Sequence, residues 1–132
     1  MVTGIDKVAR RLVDEIPKAV RAELEAAMLE TANRVVVGAR LRVPVESGAV
    51  RDSIRHHGVQ EGKRGGLYVA VTAGDRSTLT DEKGKRYQVA RLLEFGTIAM
   101  PAQPYMLPSY HANRASARRR MRRAIRDAIM RK

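Results

Sequence analysis

The chain contains no cysteine and no tryptophan, and a single phenylalanine among its 132 residues. Without cysteine there is no disulfide framework, no thiolate zinc site and no cysteine nucleophile, a composition that fits a reducing compartment. Four tyrosines and that one phenylalanine are the whole aromatic complement, which leaves no platform of stacked rings for single-stranded nucleic acid. No apolar run approaches the roughly 18 residues of a membrane-spanning helix. The first eleven residues lack the continuous apolar stretch of a secretory signal, so no membrane partner is expected. Acidic residues are scarce too: 14 Asp and Glu stand against 26 Lys and Arg, a formal net charge of +12.

The length suits one domain over residues 1–132, with room for a modest core. An apolar fraction of 44% is ordinary for a folded protein. The basic excess is local. Residues 114–132 carry nine basic side chains against Asp127 alone, so two thirds of the net charge sits in the last 19 residues. The rest of the chain is nearly balanced.

Hydrophobic spacing gives an α+β fold. Ile5, Val8, Leu12 and Ile16 form a helical stripe over residues 2–16. A second helical stretch covers residues 18–42, with Val20, Leu24, Ala27, Met28, Thr31, Val35 and Gly38 on one face. These are two helices, or one long helix bent at Pro17. Val43-Pro44 stops the helix, because the residue before proline is pushed out of the α region, and Glu46-Ser47-Gly48 reads as a turn. Residues 50–60 are expected as a strand with Val50, Ile54 and Val59 inward. It pairs as an antiparallel hairpin with residues 67–73, the best strand in the sequence, across a turn at 63–66. Residues 74–85 are polar and glycine-punctuated and read as a mobile surface loop. Residues 87–95 read as a short helix or a strand, the helix fitting slightly better. Three prolines mark residues 97–108 as extended. A basic C-terminal helix covers residues 109–129, with Tyr110, Ala117, Met121, Ala124, Ile125 and Ala128 as its apolar stripe.

The residues offer little chemistry. His56 and His57 project to opposite faces of a strand and cannot share one metal. No serine sits in a nucleophile elbow, and Gly62 to Gly66 lacks the spacing of a phosphate loop. Glu94 is the only acid in an otherwise apolar stretch. With no partner for general acid–base work, it reads as a paired structural carboxylate, Arg51 or backbone amides being its possible partners. The sequence therefore points away from an enzyme, with no cofactor, metal or small-molecule substrate. Arg114, Arg118, Arg119, Arg122, Arg123 and Arg126 form a patch for a polyanion, either DNA held non-specifically or an acidic protein. The bland alternative is a packing helix with an arginine-rich solvent face.

Two segments carry a resemblance. The first runs through Pro44, Ser47, Gly48, Arg51, Ser53 and Ile54. The second is Ala-Arg-Leu-Leu-Glu-Phe-Gly-Thr, with Glu94, Phe95, Gly96 and Thr97, followed by Gln103, Pro104, Tyr105 and Pro108. Order and spacing over residues 30–112 resemble a family of small neck and tail-completion proteins of long-tailed bacteriophages, the gene-ten-product family named for a Hong Kong lambdoid phage. Val50 stands where leucine is usual, and Ser109 where alanine is usual. The resemblance implies a structural virion protein joining head and tail, built in the host bacterial cytoplasm. It implies a ring of identical copies, expected to be a hexamer, that completes or terminates the tail tube and docks to the head connector or stopper. Related parts occur in phages, prophages and gene transfer agents. The loop 74–86 and the segment 97–108 are the expected contacts between copies. The rival reading is a basic protein that binds DNA non-specifically through its last helix.

Overall fold

A computed structural model describes residues 16–44, 48–63, 66–82 and 84–130. The helix expected over residues 2–16 lies, but for its last residue, outside the described residues, as does Ser47. The first described helix, α1, spans Ile16–Arg42. Pro17 occupies its first turn, where a missing N–H forfeits no helical bond. The β-branched run Val35, Val36 and Val37 does not interrupt it. The expected stripe is too narrow: Ala27 and Val35 are buried, but so are Ala32, Val36 and Ala39. One side of α1 packs on the last helix and another on a β-hairpin, so two arcs of its surface are covered.

Val43 closes the helix by donating its N–H to the Ala39 carbonyl at 2.9 Å. The strand expected from residue 50 begins later. Ala49–Ser53 is a short helix, α2, entered through Gly48 at φ 81°, a left-handed conformation that favours glycine. Arg51 and Ser53 therefore do not alternate with Ile54 along a strand. The Ser53 hydroxyl donates to the Val50 carbonyl at 2.6 Å and accepts from Gly74 N–H at 2.8 Å, tying the turn to the chain beyond the hairpin. Val50 and Ile54 are still buried. The Arg40 guanidinium donates to the Ile54 carbonyl at 2.7 Å, anchoring this corner to α1.

Strands β1 (Arg55–Glu61) and β2 (Leu67–Thr72) form the expected antiparallel hairpin. A register shift between His56 and Val59, with Gly58 at φ 75°, bulges β1. His56 is half-buried and His57 exposed, its Nε2 lying 2.7 Å from the Thr72 hydroxyl.

Residues 74–85 are not a loop. Asp75 caps a 3-10 turn at Arg76–Thr78: its carboxylate accepts from the Ser77 hydroxyl and from Ser77 N–H, while the Thr78 hydroxyl accepts from Asp75 N–H. The Ser77 hydroxyl, then its amide, holds the Asp75 carboxyl below its ordinary value. A second hairpin follows, β3 (Leu79–Glu82) with β4 (Lys85–Gln88), turning at Gly84 with φ 77°. The ambiguous stretch 87–95 divides: Tyr87 and Gln88 end β4, and Val89–Phe95 is helix α3.

The last helix, α4, spans Met106–Met130 and begins three residues before its expected start, with Pro108 in the first turn. It runs antiparallel to α1, since Arg42 meets Ser109 at 3.2 Å while Thr31 meets Arg120 at 2.8 Å. Its buried residues are small: Ser109, Ala117 and Ala128. Tyr110, expected in the stripe, is about half exposed. The core cluster joins Val36, Ala39 and Val43 of the first helical corner to Val50, Ile54, Ala90 and Tyr105.

Candidate assembly surface

Helices α3 and α4 are joined by one carboxylate. Glu94, in the last turn of α3, accepts three backbone N–H bonds: from Tyr105 at 2.8 Å and Met106 at 2.9 Å on Oε2, and from Leu107 at 2.9 Å on Oε1. These amides open α4 and have no acceptor within the helix. Glu94 thus caps α4 from a distance, with its negative charge at the positive end of the helix dipole. Burial pushes the carboxyl pKa up, but the three amides outweigh it and hold the group below its ordinary value of 4.5. Arg51 takes no part; its guanidinium lies 3.3 Å from Asp52.

Tyr105, 1% exposed, completes the joint. Its hydroxyl donates to the Ala90 carbonyl at 2.8 Å, and its own carbonyl accepts from the Ser109 hydroxyl at 2.6 Å. Desolvation, with Glu94 nearby, pushes the Tyr105 pKa up to about 12. Gln103 N–H donates to the Leu93 carbonyl at 2.8 Å. Gly96 ends α3 at φ 75°, and a Cβ there would stand 2.6 Å from Ala102 N. The sequence motif Glu94, Phe95, Gly96 and Thr97 and the motif Gln103, Pro104, Tyr105 and Pro108 are therefore halves of one clamp.

The clamp displays a turn. Thr97 N–H donates to the Met100 carbonyl at 2.8 Å and Met100 N–H returns a bond to Thr97 at 3.3 Å. Ile98, between them, is fully exposed, and Phe95 is 66% exposed. Elsewhere, α1, β2 and α4 enclose an apolar surface groove of about 380 Å³, lined by residues that include Met28, Val35, Val69, Leu107, Tyr110 and Met121.

The arginines of α4 divide. Arg120 turns inward, its guanidinium 2.8 Å from the Thr31 hydroxyl and 3.4 Å from Glu30. Arg126 lies 3.8 Å from Asp127. Arg114, Arg118, Arg119, Arg122 and Arg123 are exposed and, among the described residues, have no ion pair. The sequence reading named these five, with Arg126, as the patch and left Arg120 out of it. Pro44 and Gly48 flank another surface groove with Met100 and Gln103, so the first motif lies beside the clamp. Among the described residues, no three His, Asp or Glu side chains group as metal ligands, and no helix is long and apolar enough to cross a membrane.

No curated protein and no solved structure matches the chain. The family model described as "Bacteriophage HK97-gp10, putative tail-component" matches residues 6–96, from the first sequence helix through the Gly96 end of α3. With well over half its length matched, the chain belongs to this HK97-gp10-like family of bacteriophage tail components.

Proposed function

We propose that this tail component is a single-domain neck protein: a ring of copies, six in number, that completes or terminates the tail tube and docks to the head connector. The observation that carries this reading is the Glu94 clamp, which holds an apolar turn at Phe95 and Ile98 in solvent. Ordering exposed apolar groups stabilises nothing in the isolated chain; a surface so presented is suited to a partner. Ser53, Glu94 and Tyr105 all use their side chains to hold backbone, which suits a structural part of a virion. Segments 74–86 and 97–108 are the candidate contacts between copies, and a closed ring requires two different surfaces to meet head to tail. Negative-stain images of particles with and without the protein test the position. Loss of the chain is expected to leave heads and tails unjoined, or tails of uncontrolled length. Particles that join normally without it refute the reading. Portal, capsid and tail-tube genes beside its own would further support a neck role, in a phage, a prophage or a gene transfer agent.

The exposed arginines favour a second contact. Five exposed guanidiniums on one helix, with no ion pair among the described residues, suit an acidic neighbouring ring, docked through protein contacts. The rival, non-specific DNA binding, predicts that log K falls with log salt at a slope of about −0.9 per phosphate neutralised. A duplex that binds the free protein with a slope near −4 would favour DNA; no binding at about 0.1 M salt favours the acidic protein.

A further inference from the structure

Residues 95–113 form a run of 19 without a single Asp, Glu, Lys or Arg, in a chain that is 30% charged. This run contains the turn at Ile98 and one wall of the apolar groove, at Leu107 and Tyr110. Two copies of a chain carrying +12 repel each other wherever their basic faces meet. Uncharged surface lets them approach without that penalty. Two such surfaces among the described residues have opposite shapes: a projecting turn closed by reciprocal backbone bonds, and a groove whose described lining carries no Asp, Glu, Lys or Arg; the uncharged groove at Pro44 and Met100 lies beside the turn itself. The groove's volume of about 380 Å³ falls within the roughly 300–1,000 Å³ of pockets that bury a compact apolar group.

We infer that the Ile98 turn of one copy, with Phe95 beside it, seats in the α1–β2–α4 groove of the next. The inference rests on the ring reading and names its interface. Because turn and groove are different surfaces, the contact is heterologous, and repeating it generates a ring or a filament rather than a closed pair. It also uses both halves of the clamp: Glu94 holds the turn on its α3 side and fixes the start of α4, where Leu107 and Tyr110 line the groove.

The absence of cysteine makes the test direct, since among copies of this chain an introduced thiol can pair only with another introduced thiol. Ile98→Cys and Leu107→Cys chains, made separately with tags of different size, are assembled together, alone at high concentration and with the tail-tube and connector proteins. A mixed disulfide under mild oxidation is expected for this pair and for Ile98→Cys with Tyr110→Cys. The control, Ile98→Cys with Ala115→Cys on the outward face of α4, should give none. Ile98→Asp, fully exposed in the monomer, should melt as the parent does and weaken association by about 100-fold. If oligomers form but the two disulfides are absent and Ile98→Asp assembles normally, the interface is wrong and the ring reading survives. If nothing larger than a monomer forms under either condition, both fall.

Discussion

Replacing Glu94 measures the joint between α3 and α4. In Glu94→Ala three N–H groups lose a charged acceptor, at 2.8, 2.9 and 2.9 Å. The Tyr105 amide is buried and stays unsatisfied, at about 2 kcal/mol. Met106 and Leu107 are partly exposed, and their amides regain water, which lowers each loss to roughly 0.5–1 kcal/mol. The expected destabilisation is therefore about 3–4 kcal/mol, or a fall in Tm of roughly 12–16 °C for a chain of this size. Glu94→Gln keeps the shape but offers one acceptor oxygen, and its amide turns a donor toward a third donor; about 2 kcal/mol is expected. The pH dependence separates this account from simple loss of packing. The folded carboxyl lies below 4.5, so its contribution is fully present above the unfolded value and is lost as pH falls through the folded one. Thermal melts followed by circular dichroism from pH 3 to 8 should show wild type and Glu94→Gln far apart at pH 7 and converging at the acid end. A gap that is constant with pH, or variants within about 0.5 kcal/mol of wild type, would refute the capping role.

Tyr105→Phe should cost about 1 kcal/mol by removing the bond to Ala90. Because burial pushes the wild-type phenol from 10.0 up to about 12, wild type should lose more stability than the variant as pH rises from 10 towards 12, measured by urea unfolding. Gly96→Ala places a Cβ 2.6 Å from backbone at φ 75° and should lower stability by at least about 2 kcal/mol, read as a loss of Tm. Replacing Arg118, Arg119, Arg122 and Arg123 together by alanine lowers the net charge from +12 to +8. The folded state should be unharmed, alanine being the better helix former, while binding to any polyanionic partner becomes weaker and less salt-dependent.

The long helices α1 and α4 and the first hairpin were legible because each has a buried face and a matching period. Glu94 was legible in role, as a lone acid among apolar residues. Backbone amides were one of its two expected partners, but which amides was not legible, because amides at a helix start leave no mark in a list of side chains, whereas Arg51 was a visible cation. Residues 49–53 were misread as strand because Val50 and Ile54 are buried in either conformation; the choice is made by Gly48 and by the Ser53 hydroxyl. The second hairpin was missed for the opposite reason. Its four-residue strands are exposed through most of their length, so no alternation of apolar and polar residues records the pairing. The breadth of the buried arc on α1 follows from two neighbours that periodicity, which assumes one, does not anticipate.

At the crossing of α1 and α4, a Cβ on Gly38 would stand 3.3 Å from the Ser109 hydroxyl and 3.4 Å from its Cβ. The two helices meet there across the Ser109 hydroxymethyl group, with the Arg42 guanidinium 3.0 Å from the added Cβ. Added volume at that point displaces the Arg42 guanidinium or tilts α4, and a helix of 25 residues acts as a long lever. A tilt of a few degrees at Ser109 becomes a displacement of ångströms at Met130, carrying the arginine rows with it. The smallest side chains of the interface thus set the aim of the most highly charged ones.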